Sequence, residues 1–382
     1  MPEEPQIKVL SKGRRNLLFI LMVIVFLVAL PSMIFYTTGY RLNFDNDETS
    51  IVTTGGLYIT TDNLEVDVYL DDEQIDKPRL FRSAYYIQNI ETGKHRIVVQ
   101  REGLQTWVKE LFVDSRMVAE AAAFNMPLVT QLRPITKYLT VDDEPVYFGV
   151  SSSTKLFGDA TSTIPFVATT SRATSTFFIN EEFDYVESLF SSTSTSTNSV
   201  FQDFMKEANL FGFATTTDGS TTSGEVNYIE KGDIRLVERG GEIYAVWTNG
   251  INDIPHYFCV PDGLGSTTAE RYGEHVAESI VELVKSTTTP LIFESDRICR
   301  PEIKLNRLNQ DVFYYDFMPN GSDLVLLGLE DGLYVTEIDD RAWQNTQQIY
   351  NDSDFIVVIE NNIIYILDDG RYFELVTEIE SN

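Results

Sequence analysis

Residues 312–340 read VFYYDFMPNGSDLVLLGLEDGLYVTEIDD. Val312 to Phe317 is a short aromatic run, and Pro319-Asn320-Gly321 is turn chemistry. Leu324 to Leu327 is apolar, and Glu330-Asp331-Gly332 turns the chain into Leu333 to Thr336. Short apolar runs separated by Gly, Pro, Asn and Asp predict strand, turn and strand in antiparallel succession. The same rhythm continues on both sides. Upstream, Ile234 to Val237, Gly240-Gly241 and Ile243 to Trp247 repeat it. Downstream, Phe355 to Ile359, Asn361-Asn362, Ile363 to Leu367, Asp368-Asp369-Gly370 and Tyr372 to Val376 continue the series.

An earlier region also alternates. Leu57 to Thr60 reads as a strand, and Val66, Val68 and Leu70 share one face of the next. Asp71-Asp72 turns the chain, Tyr86 to Ile90 comes next, and Glu91-Thr92-Gly93 turns into His95 to Val99. Trp107 to Val113 supplies a last strand. Strands at this spacing predict a small β-sandwich. The order of these parts resembles a PEGA domain, carried by Val68-Tyr69-Leu70-Asp71-Asp72, Thr92-Gly93-Lys94-His95 and Gly103-Leu104 with Trp107. Asp62, Asn63, Leu64 and Glu65 stand where that family has its naming tetrapeptide. The resemblance implies a structural or binding module without catalytic residues. The later region resembles the blades of a TolB or WD40-like β-propeller. Asp316-Phe317-Met318-Pro319-Asn320-Gly321 and Asp331-Gly332-Leu333-Tyr334-Val335 are the matching words. Blades of about 40–45 residues leave room for only three or four after Asp233, so a closed ring must recruit earlier strands.

The N-terminus has a different character. Leu17 to Tyr36 carries no charge, and about 20 apolar residues cross a hydrocarbon core. Its apolar core favours insertion by on the order of 6 kcal/mol. Leu17, Phe19, Ile24, Phe26, Leu30 and Tyr36 represent the anchor, with Pro31 expected to kink its outer end. Lys8, Lys12, Arg14 and Arg15 precede it, while Arg41 is followed by Asp45, Asp47 and Glu48. The positive-inside rule then holds the N-terminus in the cytoplasm. A cleaved signal peptide is the rival, disfavoured by the length of the apolar run and the lack of a small-residue cleavage site.

The expected fold class is mainly β, with a transmembrane helix, a small PEGA-like sandwich and a propeller-like domain with inserted helices. The boundaries are a cytoplasmic tail at 1–16, the helix at 17–36, a linker at 37–55, the sandwich and its connector at 56–132, and the propeller-like domain at 133–382. Ser/Thr tracts at 151–154, 161–163, 169–176 and 191–199 read as low-complexity loops. Helical periods appear at Phe201 to Ala208 and in the stripe Tyr272, Val276, Ile280, Leu283 and Val284.

Composition excludes some functions. With 58 acidic against 29 basic residues the net charge is −29, which repels nucleic-acid phosphates. No nucleophile elbow, zincin, Walker or dinucleotide pattern occurs, and no cofactor is expected. His95, His256 and His275 are the only histidines. His256 lies near Cys259, which offers a Cys–His pair for nucleophilic catalysis, although a strand of aromatic core residues explains it more simply. Asp339-Asp340-Arg341 and Asp368-Asp369-Gly370 offer oxygen ligands for calcium or, without calcium-loop spacing, solvated turns. Cys259 and Cys299 are either a disulfide or two buried thiols.

These readings lead to a membrane-anchored extracytoplasmic binding or scaffolding protein of the cell envelope, without catalysis. Its partners would be the lipid bilayer through one helix, and envelope proteins or cell-wall glycans. An extracytoplasmic hydrolase with an acidic site in the propeller channel is the alternative. A sensor would need a partner, because Met1 to Arg15 is too short to signal alone.

Overall fold

The computed structural model describes residues 12–43, 50–63, 65–76, 83–140, 143–146, 178–192, 228–250, 253–261, 266–285, 291–294 and 297–377. Among the described residues the chain is mainly β, with one long apolar helix at its start and several small sheets, none of them closed. It divides into two compact units: Met1–Val98 with Glu110–Phe124, and Val99–Lys109 with Asn125–Asn382.

The first unit opens with helix α1, Lys12–Thr37, whose 26 residues include no buried side chain. Leu17, Phe19, Ile24, Phe26, Leu30 and Tyr36 all lie on it and are exposed. Lys12, Arg14 and Arg15 occupy its first turn, while Lys8 lies outside the described residues. Pro31 sits inside the helix without an N–H to donate, and the Ser32 hydroxyl reaches back to the Val28 carbonyl at 2.8 Å.

Eight strands come next: β1 Tyr40–Asn43, β2 Ser50–Thr61, β3 Asp67–Leu70, β4 Glu73–Gln74, β5 Ala84–Glu91, β6 Gly93–Gln100, β7 Trp107–Val113 and β8 Val118–Ala123. The division between the units falls inside β6 and β7. One sheet has the order β1-β2-β5 with β8 also on β2, and the other has the order β4-β3-β6-β7. Residues 37–55, expected to be a linker, instead hold β1 and the first half of β2. Strand β8, expected to be part of a connector, pairs with β2 in parallel from Gly56↔Val118 to Thr61↔Ala123. Leu57 and Ile59 in one sheet, and Val68 and Ile97 in the other, are fully buried. The Tyr85 hydroxyl donates to the Val66 carbonyl at 3.0 Å, so that its polar tip is satisfied within the core.

The second unit begins with β9 Gln131–Ile135, β10 Tyr138–Leu139, β11 Phe178–Ile179 and helix α2 Glu181–Ser192. Strands β12 Tyr228–Lys231, β13 Ile234–Arg239, β14 Glu242–Trp247 and β15 Cys259–Pro261 come next. They precede helices α3 Ser266–Tyr272 and α4 Glu274–Lys285. Then come β16 Ile292–Glu294, β17 Arg297–Cys299, β18 Glu302–Lys304, β19 Val312–Phe317, β20 Leu324–Leu329, β21 Gly332–Glu337, β22 Thr346–Tyr350, β23 Phe355–Glu360, β24 Ile363–Asp368 and β25 Arg371–Val376.

Three antiparallel sheets of four strands result: β12-β13-β14-β18, β19-β20-β21-β22 and β23-β24-β25-β9. The last takes its edge from far upstream, with Ile135 opposite Tyr372 and Gln131 opposite Val376. The hairpin turns carry the residues that tolerate positive φ. Gly240-Gly241, Asn361-Asn362 and Asp369-Gly370 all adopt it, as two-residue hairpins require. Leu236, Ile243 and Ala245 bury against Val325, Leu327 and Leu329, joining the first two sheets in one core. Each of these leucine, isoleucine and valine side chains contributes about 1.5–3 kcal/mol when fully buried. Helix α2 lays Phe183, Val186 and Phe190 on the third sheet at Ile135, Tyr365 and Tyr372. Its first turn holds Glu181, Glu182 and Asp184, the charge sign that a helix N-terminus favours.

Other expectations need correction. The stripe from Tyr272 to Val284 is two helices, broken where Gly273 adopts φ +100°. Val276, Ile280 and Leu283 face inward, while Val284 is exposed. His256 to Phe258 is a single 3-10 turn leading into β15, not a continuous strand. The helical period at Phe201 to Ala208 and most of the low-complexity tracts lie outside the described residues.

Candidate functional site

Cys259 and Cys299 are register partners across β15 and β17, and their sulfur atoms are bonded at 2.04 Å. The bridge closes a sequence separation of 40 residues, which includes α3 and α4. The Cys–His pair considered for nucleophilic chemistry is therefore not available in this state, because the thiolate it requires is engaged in the disulfide.

Next to the bridge lies a dense convergence of charge. Strand β21 ends at Glu337, and the chain continues through Ile338 into Asp339, Asp340 and Arg341. All four charged residues are buried, which corrects the expectation of a solvated turn at Asp339-Asp340-Arg341. Lys109 enters from β7 with none of its side chain exposed. Its Nζ donates to Glu337 Oε1 at 2.8 Å and to the Asp339 carbonyl at 2.8 Å, and lies 3.2 Å from Asp339 Oδ2. Arg341 forks onto Asp339, with Nε 2.9 Å from Oδ1 and Nη2 2.8 Å from Oδ2. Arg300, directly after β17, forks onto Asp340 at 2.6 and 2.5 Å. His275 on α4 closes on the Asp340 carbonyl at 2.5 Å.

The arrangement balances: Lys109, Arg300 and Arg341 face Glu337, Asp339 and Asp340. Neutral donors complete it. Trp107 Nε1 donates to Glu337 Oε2 at 3.1 Å, and the Asn345 backbone and side-chain nitrogens each reach Oε1 at 2.8 Å. Such pairing is what makes burial of these charges tolerable. Electrostatics differ within the cluster. Burial pushes the Glu337 carboxyl above its ordinary range, with Lys109 opposing. Burial also acts upward on Asp339, but the Arg341 and Lys109 cations outweigh it and hold that carboxyl well below the usual range. Burial, followed by the Arg341 charge, pushes His256 down to about 3, so its ring is neutral at physiological pH.

Chemically, this cluster is a closed lock. Each oxygen of the three carboxylates already has a donor, and none is left over to bind a cation or to take a proton from a substrate. Among the described residues no group of three or more His, Cys, Asp or Glu side chains is placed to hold a metal ion. The other acidic turn behaves as a surface feature. Asp369 is 81% exposed and pairs with Arg371, and Asp368 accepts from the Tyr350 hydroxyl.

A second polar anchor holds the Asp316-Phe317-Met318-Pro319 segment. Lys231 on β12 donates to the Met318 and Pro319 carbonyls at 2.7 and 2.5 Å. Burial raises the Asp316 carboxyl, while the Phe317 N–H, 2.7 Å from Oδ1, supports its charged form. His95 stands apart in the first unit, between Asp71 Oδ2 at 2.6 Å and the Glu91 carbonyl at 2.7 Å.

Sequence reasoning overlooked Lys109, Arg300 and Glu337. A signal existed for Lys109: along β7 the buried positions are Trp107, Lys109, Leu111 and Val113, so the lysine is in phase with the apolar face. A charge in that phase requires a buried partner.

No protein-family model and no curated protein matches this chain. Among solved structures it aligns with a protein of unknown function from Bacteroides fragilis, described as membrane-associated. The alignment has 12% identity over 84% of this chain and 94% of the other, with a TM-score of 0.16. A score of that size does not equate the two folds.

Proposed function

We propose that this chain is a single-pass membrane protein whose N-terminus lies in the cytoplasm. Its β units would then form an extracytoplasmic binding or scaffolding module of the cell envelope, facing protein or glycan partners. The observation that carries this reading is α1: 26 residues, mean hydropathy 3.0 over its most apolar window, and no buried side chain. A helix apolar all round with no protein packed against it is suited to lipid. Lys12, Arg14 and Arg15 at its start supply the basic flank that is retained inside. The bonded pair Cys259–Cys299 accords with an oxidising compartment.

The two sheets of the first unit accord with a PEGA-like sandwich. The three four-stranded meanders of the second accord with propeller blades, the last completed by β9 as a ring would demand. The hydrolase alternative needs free convergent carboxylates, and the acidic residues that converge at the end of β21, among the described residues, are held by cations.

Protease added to spheroplasts carrying the full chain tests the topology. Digestion of both β units, with an N-terminal tag surviving until lysis, is the expected result. Protection of the β units reverses the orientation. A mature protein lacking residues before about Thr38 identifies α1 as a cleaved signal and removes the anchor.

A further inference from the structure

We propose that Arg41 and Arg116 bind the phosphates of membrane-lipid headgroups at the C-terminal end of α1. The inference rests on the reading of α1 as a membrane span and adds a ligand class to it. From Arg15 to Tyr36 the helix rises about 32 Å at 1.5 Å per residue, close to the roughly 30 Å of a hydrocarbon core. With Arg15 at one boundary, Tyr36 reaches the other, where tyrosines and lipid phosphates lie.

Beyond Tyr36 the chain makes a short, well-bonded corner. Only Thr38 and Gly39 separate α1 from β1. Gly39 adopts φ +79°, and its carbonyl accepts from the Thr54 backbone N–H at 2.8 Å and from the Thr54 hydroxyl at 3.0 Å. A Cβ on Gly39 would meet the Thr54 carbonyl at 3.2 Å and Arg116 Cγ at 3.4 Å, so the glycine leaves room for the arginine stem. Phe35 and Tyr40 stack across the corner at 5.4 Å.

Two guanidinium groups lie against the tyrosines of this corner. Arg41 lies 3.6 Å over the Tyr36 ring and donates from Nη1 to the Tyr36 and Tyr40 carbonyls at 2.8 and 2.9 Å. Its Nη2 also donates to Asn89. Arg116 comes from the β7–β8 turn, lies 5.2 Å over the Tyr40 ring and donates from Nη2 to the Tyr40 hydroxyl at 2.9 Å. Its own backbone is held at φ +65°, a costly conformation for a residue with a Cβ, by its N–H bonded to the Thr54 carbonyl at 2.9 Å.

Neither arginine is paired with a carboxylate among the described residues, in a chain with twice as many acids as bases. Arg133, Arg300, Arg307 and Arg341 each have one. A guanidinium has five N–H donors. Toward the described residues Arg41 uses three of its five and Arg116 one, so six remain between them. They lie beside exposed tyrosine at the depth of the headgroups. Planar forks with unspent donors suit a phosphate better than any neutral headgroup.

The test is native mass spectrometry of the full chain released from detergent micelles. The micelles contain equal amounts of phosphatidylglycerol and a phosphate-free galactolipid with the same acyl chains. The wild type is expected to retain the phospholipid preferentially. R116Q should lower that preference about fivefold, with R41Q/R116Q lowering it further. R116K should keep most of it. Near-ultraviolet circular dichroism identifies variants that have lost their fold, and R116Q alone decides if the double variant does so. Equal retention of the two lipids by the wild type, or an unchanged preference in folded R116Q, overturns the proposal. If the full chain is instead extracted from membranes by alkaline carbonate, the anchor reading fails with it. Resistance to carbonate without lipid preference overturns the phosphate site alone.

Discussion

Replacing Lys109 with Met removes the cation that touches both Glu337 and Asp339. Met retains the length and apolar bulk of the lysine stem, so the change isolates the charge. The structure indicates where the loss falls. Asp339 keeps its fork from Arg341 at 2.9 and 2.8 Å, whereas Glu337 keeps only the neutral donors Trp107 and Asn345. Removing one partner of a buried pair costs roughly 3–5 kcal/mol, and the surviving hydrogen bonds place K109M near the lower end, about 3 kcal/mol. The cost should depend on pH. Burial already raises the Glu337 carboxyl above its ordinary range, and loss of Lys109 raises it further. A carboxyl whose folded pKa is raised contributes stability below its unfolded pKa, and that contribution is lost as pH rises through the folded value. The deficit of K109M should therefore be smaller at pH 5 than at pH 8, and E337Q in the K109M background should recover most of it. The chain has 3 tryptophans, Trp107, Trp247 and Trp343, all in the second unit, so fluorescence during urea unfolding reports on that unit alone. A K109M deficit under about 1 kcal/mol, or no recovery with E337Q, would refute the account of the cluster as a mutually dependent lock.

Two further predictions concern the same unit. His256 is held neutral down to about 3, below the ordinary value of 6.5, by burial and then by Arg341. Between those values the unfolded chain binds the extra proton, so stability should fall as pH drops from about 6.5 toward 3, by at most roughly 1.4 kcal/mol per pH unit. Urea midpoints measured across that window should decline less steeply in H256Q; equal slopes would assign the acid sensitivity elsewhere. Replacing both cysteines by alanine opens a loop of sequence separation 40 and should cost roughly 4 kcal/mol by chain entropy. Reducing agent should then shift the wild-type midpoint but not that of C259A/C299A, and a reductant-insensitive wild type would deny the bridge.

Local chemistry made much of the β architecture legible. Gly240-Gly241, Asn361-Asn362 and Asp369-Gly370 are pairs that tolerate positive φ, and each one became the turn of a hairpin. Strands whose apolar residues alternate, such as Ile234–Arg239, were visible for the same reason. The start of β2 was not. Thr53, Thr54, Gly55 and Gly56 have no apolar alternation, and their place is set by close approach. A Cβ on Gly55 would fall 2.6 Å from Val113 Cγ1, 2.8 Å from the Met117 carbonyl, and into the Asp114 carbonyl. The partner of β25 was also hidden. Strand β9 lies more than two hundred residues upstream, and nothing in Gln131–Ile135 names its neighbour. Pairing over such a separation is decided by the core, not by local propensity.

The ionic lock obeys the same logic. Lys109 and Glu337 are 228 residues apart, and Arg300 and Asp340 are 40 apart. Each looks like an ordinary surface charge until the strands that carry them are folded together. Their worth is therefore not mainly net energy, since a buried pair recovers little beyond its own desolvation. The arrangement of β7, β17 and the end of β21 sets three cations against three carboxylates. The boundary at residue 133 suggested by the strand rhythm would cut through β9 and separate Lys109 from the unit that depends on it. A fragment begun there retains every later strand of the third sheet, yet leaves Glu337 and Asp339 buried without the cation that spans them. The second unit is thus defined by where its charges are neutralised as much as by where its strands begin.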